Sequence, residues 1–192
     1  MSSGRVTKLQ LNLRADMRTM LRSIGIEVTD ASLAEARQRR LEAAARHTPE
    51  RRAAWHKAVG SPPPAERGPI GIVLDTSAIL AFTRGSVDVG AAVADVAEAG
   101  GRIGLPISCL VEARWRLGDL DRLNVLVHHM ATELIASPGD WSVLAAALTV
   151  ARRQDAASAL LAAVQSGCGV LTASPRRYAT LAGGSPIVPL PR

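Results

Sequence analysis

A chain of 192 residues with 47% hydrophobic and 21% charged residues is long enough for one good core and too apolar to stay disordered. Its longest uncharged apolar run, residues 141–151, falls far short of the ~20 that span a bilayer, which excludes a membrane-spanning helix. The net charge of +6 lies entirely before Gly68, with 13 Lys and Arg against 7 Asp and Glu there and 10 against 10 afterwards. No apolar stretch follows the opening MSSGRVTK, so no export signal is expected and a cytoplasmic protein is. Cys109 and Cys168 lack CxxC spacing and read as reduced core thiols, and no pair of histidines is spaced for zinc.

In chain order, residues 8–14 (KLQLNLR) alternate strictly, with Leu9, Leu11 and Leu13 on one face and Lys8, Gln10, Asn12 and Arg14 on the other, the pattern of a half-buried strand. After Asp16, a cap, Met17, Met20, Leu21 and Ile24 recur at helical spacing until Gly25. Thr29 and Asp30 cap a second helix through Leu33, Ala36, Leu41 and Ala44, and Thr48-Pro49 starts a third that Gly60 closes. The proline run at 62–64 is a stiff linker. The expected division is a basic strand-helix-helix module over residues 1–60, a linker over 61–68 and a neutral α/β domain over 69–192.

A lone strand leaves its edge open, so the N-terminal module is expected to pair with a second copy as a homodimer. Its order of elements resembles the ribbon-helix-helix antitoxins of bacterial toxin-antitoxin operons. That resemblance implies a ribbon in the major groove of operator DNA, read by Lys8, Gln10, Asn12 and Arg14. A basic helical appendage with no role on DNA is the competing reading.

The second part alternates strands and helices, which predicts a mostly parallel sheet flanked by helices. Ile72, Val73 and Leu74 form an unbroken apolar strand that stops at Asp75, and Thr76 and Ser77 stand as caps of the helix beginning at Ala78. A helix over 87–99, a strand over 102–106, a helix capped by Ser108, a helix over 120–129, a strand over 133–136, helices over 141–151 and 155–165, and strands over 170–172 and 187–188 follow.

Asp75 follows one strand, Glu112 opens a helix just past a second, and Asp155 opens a helix leading into a third. In a parallel sheet such positions converge on one edge. Meeting carboxylates repel, and a divalent cation, Mg²⁺ or Mn²⁺, relieves them and can activate water beside a phosphoryl group. Each acid alone also reads as a helix cap or a first-turn acid that complements the helix dipole.

The blocks IVLDTSAILAF, LPISCLVEA, QDAASALLAAVQSGCGVLTASPRRY and IVPL resemble a PIN domain, the metal-dependent ribonuclease fold of toxins, over residues 69–191. The resemblance implies a four-acid cluster that holds Mg²⁺ or Mn²⁺ and hydrolyses RNA. Asp75, Glu112 and Asp155 match the first three acids and Ser77 the hydroxyl that supports the first. The fourth position departs from the family pattern: after Thr172, Ser174 stands where a carboxylate is usual, which removes one charge from the site and predicts an attenuated nuclease. Arg176 and Arg177 follow and read as phosphate contacts or as solvated surface. A fused antitoxin-like segment would hold the site shut, with Arg51 or Arg52 as the inserted cation. The alternative is a regulator that has lost catalysis and binds DNA as a dimer. Ser77 stands where a haloacid-type phosphatase needs a second aspartate, and no Gly-rich phosphate loop follows the first strand.

Overall fold

The computed structural model describes residues 17–19, 21–45, 68–137, 140–181 and 186–191. The expected DNA-reading strand over 8–14, the third N-terminal helix, the proline linker and Arg51 and Arg52 lie outside the described residues.

The architecture is α/β. Five strands, β1 (Ile70–Leu74), β2 (Arg102–Pro106), β3 (Thr132–Ile135), β4 (Gly169–Thr172) and β5 (Ile187–Pro189), form one sheet in the order β3-β2-β1-β4-β5. All four pairings are parallel. Seven α-helices accompany them among the described residues: α1 (Asp30–Ala45), α2 (Thr76–Thr83), α3 (Val87–Glu98), α4 (Ile107–Arg116), α5 (Asp121–His128), α6 (Trp141–Ala151) and α7 (Gln154–Ser166). A short 3₁₀ helix spans Pro175–Tyr178. No helix among the described residues is long and apolar enough to cross a membrane.

Ile72, Val73 and Leu74 of β1 are all buried, so the central strand is covered on both faces, as its lack of alternation requires. Helix α7 lies along β1, β2 and β4, and α3 lies along β1 and β2. The α7 sequence is buried at ten successive positions, Asp155 to Val164, which its run of small and aliphatic residues permits between the sheet and α6.

The described N-terminal residues, 17–19, 21–29 and helix α1, pack against this sheet domain. Met17, Leu21, Ile26, Leu33 and Ala36 belong to the same buried cluster as the sheet, and α1 lies along α3 and reaches β4 and β5. Gly25 turns the chain at φ +75, the left-handed conformation that glycine adopts without strain. Thr29 and Ser32 exchange hydroxyl and backbone N–H bonds at the start of α1, a reciprocal cap. Charge then seats the helix. Asp95 of α3 is 1% exposed and forms ion pairs with Arg37 Nε, which donates to its Oδ1, and with Arg40 Nη2 beside its Oδ2, each at 3.0 Å, while Arg39 meets Asp88 and Arg18 meets Glu98. Leu41, expected on the inner stripe, is 57% exposed: eight residues after the buried Leu33 it has rotated about 80° off that stripe, past the half-exposed Arg37.

Two expected caps are corrected. The N-cap of α2 is Asp75 itself, and Thr76 and Ser77 lie inside the helix. Helix α4 begins at Ile107 after Pro106 with no side-chain cap, so Ser108 is its second residue.

Candidate functional site

At the carboxyl edge of the sheet β1 and β4 end side by side, with Leu74 opposite Leu171. That register sets Asp75 beside Thr172. Asp75 Oδ1 accepts from Ser77 Oγ at 2.7 Å and from the Ala78 N–H at 2.9 Å. Its Oδ2 accepts from Thr172 Oγ1 at 2.7 Å and from the Tyr178 hydroxyl at 3.1 Å. A carboxylate offers about four lone-pair sites, so four donors fill it. Ser77 and Thr172 each have one proton and give it to Asp75. Their oxygens, 3.0 Å apart, are each relieved by a backbone N–H, from Ala173 to Ser77 and from Ser174 to Thr172. Burial, and then the charge of Asp75, push the Tyr178 hydroxyl far above its ordinary range, so its proton stays on to donate.

Asp155, 5% exposed, lies next door. Thr76 Oγ1 donates to its Oδ2 at 2.7 Å, and Cys109 Sγ donates to its backbone carbonyl at 3.1 Å. Burial, with the nearby charge of Asp75, pushes the Cys109 thiol up to about 12, and burial pushes Cys168 to about 12 as well, so neither is a thiolate nucleophile.

The third acid is joined through an arginine. Arg153 Nε donates to Asp155 Oδ1 at 3.0 Å, and its Nη2 donates to Glu112 Oε1 at 2.7 Å. Arg116, one turn on from Glu112, binds the same Oε1, and Arg177 Nη1 lies 3.8 Å from Asp155 Oδ2. The chain reaches this position through Arg152, whose φ of +56 is the left-handed kink that ends α6, and Arg153 then meets Glu112 midway along α4. Arg153, then Arg116, hold the Glu112 carboxyl below the usual carboxylate range. Burial alone would raise Asp155, but hydrogen bonds from Thr76 and Arg153 and the charge of Arg153 outweigh it and hold this carboxyl low too.

The three acids marked in the sequence therefore gather at one edge: Glu112 and Asp155 on a single guanidinium, Asp75 behind Thr76. Glu112, Arg153 and Asp155 line an open cleft of about 540 Å³ with Ile107, Ser108, Val111, Ser137 and Gln154. Ser174 and Arg176 line a second cleft, beside Ala81, Ser86 and Asp88, while the Ser174 backbone N–H reaches Thr172 Oγ1 and so stays one hydrogen bond from Asp75. Of the two arginines read as phosphate contacts, Arg176 is exposed and Arg177 turns toward Asp155.

As it stands this donor set does not fit a divalent cation. Asp75 has its four acceptor sites filled, the facing oxygens of Glu112 and Asp155 are held by Arg153, and three guanidiniums meet two carboxylates. Among the described residues no three His, Cys, Asp or Glu side chains converge as a metal's ligands.

Sequence reasoning missed Thr76, Arg153 and Tyr178. Arg153 carried a local signal, standing two residues before Asp155 in ARRQD; Tyr178, the sole tyrosine, bonds across 103 positions and carried none. No family model matches the chain, no curated protein matches it, and no solved structure matches its fold.

Proposed function

We propose that the chain is a PIN-like protein of ribonuclease type that binds RNA in the cytoplasm at the carboxyl edge of its sheet, with its acid centre attenuated by an arginine of its own. The observation that carries this reading is Arg153, bound at once to Glu112 and Asp155 where the family resemblance implies Mg²⁺ or Mn²⁺. A guanidinium neutralises two carboxylates as a cation does, yet it offers no open coordination position and lowers no water's pKa. Ser174 in place of the fourth acid points the same way, and the exposed Arg153 and Arg176, one in each cleft, favour a polyanionic ligand.

The test is a labelled single-stranded RNA incubated with the full chain, first in EDTA and then with Mn²⁺. Binding in both conditions with little cleavage is expected, and cleavage should rise in the double variant R153Q/S174D. A chain that binds no RNA contradicts the proposal. A second reading, an active metal-dependent endoribonuclease, is favoured by the Arg153 side chain being 41% exposed, so that a phosphate can draw it off the acids. Mn²⁺-dependent cleavage equally fast in the parent and in R153Q would establish that reading instead. Operator binding by a homodimer through Lys8, Gln10, Asn12 and Arg14 is a separate proposal. It expects DNA affinity that falls steeply with salt and is lost in K8A/R14A.

A further inference from the structure

Helix α4 carries an apolar, basic stripe that the acid cleft does not use. Trp115 is 87% exposed and Val111 64% exposed, and both border a shallow groove of about 690 Å³ floored by Leu110, Leu123 and Val127. Among the described residues the only charged one along the groove is Arg114, and it makes no ion pair with the others. Val111 borders both this groove and the cleft of Glu112 and Arg153, so the two are continuous over one turn of helix.

An exposed indole beside an exposed guanidinium, with no carboxylate among the described lining residues, suits a ligand that has an aromatic face and a negative charge close by. An unpaired nucleobase with its phosphate has both. A second copy of this chain or a partner's apolar helix would need the floor alone and would leave Arg114 without an anion.

We infer that the groove between α4 and α5 is a stacking subsite for one unpaired base of single-stranded RNA, with Trp115 as the platform and Arg114 as the contact to the neighbouring phosphate. Duplex RNA hides its base faces and is refused. The inference rests on the carboxyl edge being an RNA-binding edge, and it adds where the strand leaves that edge.

The experiment titrates the full chain in EDTA with an end-labelled single-stranded oligoadenylate, reading affinity from the anisotropy of the label and stacking from tryptophan emission in a W141F background, which keeps Trp55 and Trp115. The expected result is saturable quenching. W115A should weaken binding about tenfold and abolish most of the quenching, W115F should stay within about threefold, and R114Q should flatten the slope of log K against log salt by about one. A duplex of the same length should bind about tenfold more weakly or worse. W115A binding as tightly as the parent overturns the inference while leaving the RNA-binding reading in place. So does a self-association lost in W115A with oligonucleotide affinity unchanged. No binding by the parent chain overturns both. All variants are surface changes, and matching thermal melts confirm their folding.

Discussion

Asp75 is held by four donors that come from three places in the chain: Ser77 and the Ala78 N–H in the first turn of its own helix, Thr172 at the end of β4, and Tyr178 of the 3₁₀ helix. It knots β1, β4 and the segment after β4, so its loss is felt in stability before chemistry. Tyr178→Phe leaves one lone pair of a buried carboxylate unmet and should cost about 1–3 kcal/mol. In a chain of this size that lowers the Tm by several degrees, read by thermal denaturation. Glu112 and Asp155 respond to pH. Both are held below their ordinary range in the folded chain. A depressed folded pKa gives stability that is present above the unfolded value, about 4, and lost as pH falls through the folded value. The Tm should therefore fall below about pH 4, with a shallower fall in R153Q, which lacks the cation that depresses both groups. That Asp75 and Asp155 share an edge was legible in the sequence, because a strand's end and a helix's start are marked by local pattern; Glu112, expected to open its helix, stands instead at the sixth position of α4, which begins at Ile107. What fills their oxygens was not: reach across 79 positions from Thr76 to Asp155, or 103 from Tyr178 to Asp75, leaves no periodic trace.

The docking of α1 on α3 shows what local pattern predicts about elements and where it stops. Helical spacing in residues 30–45 predicted the helix; its inner face was misjudged at Leu41 because hydrophobicity ranks leucine inward, while eight residues after Leu33 the helix has turned about 80° off the buried stripe. The buried Asp95 of α3 pairs with Arg37 and Arg40. Removing Arg40 leaves the carboxylate 1% exposed with a single half-exposed partner, and R40Q should cost up to about 3–5 kcal/mol, the range for breaking a buried ion pair. Gly90 gives a sharper test of the contact. A Cβ there would lie 2.5 Å from Ile26 Cγ2, a fully buried side chain with no room to yield. Gly→Ala in a free helix gains about 1 kcal/mol, so the sign of the change reports whether the N-terminal segment is seated. G90A should lower the Tm and speed proteolysis within residues 17–45. A raised Tm would mean that the segment does not cover α3.

For the molecule as a whole, charge is arranged in two tiers. Part of the excess cation of the N-terminal half is taken up against the acids of α3, by Arg18, Arg37, Arg39 and Arg40. At the sheet edge Arg116, Arg153 and Arg177 neutralise Glu112 and Asp155. The alternation of strands and helices made the parallel sheet legible, since a parallel pairing needs a helical crossover. The sign of the site's field was not legible, because nothing local to Arg153 tells that it reaches Glu112, 41 positions away. Calorimetric titration of Mn²⁺ into the full chain and into R153Q measures that neutralisation most directly. The parent should give no saturable heat at millimolar Mn²⁺, and R153Q should give a binding isotherm that D155N in the same background removes. Saturable binding by the parent, abolished by D155N and unchanged in R153Q, would contradict the placing of Arg153 in the cation's stead.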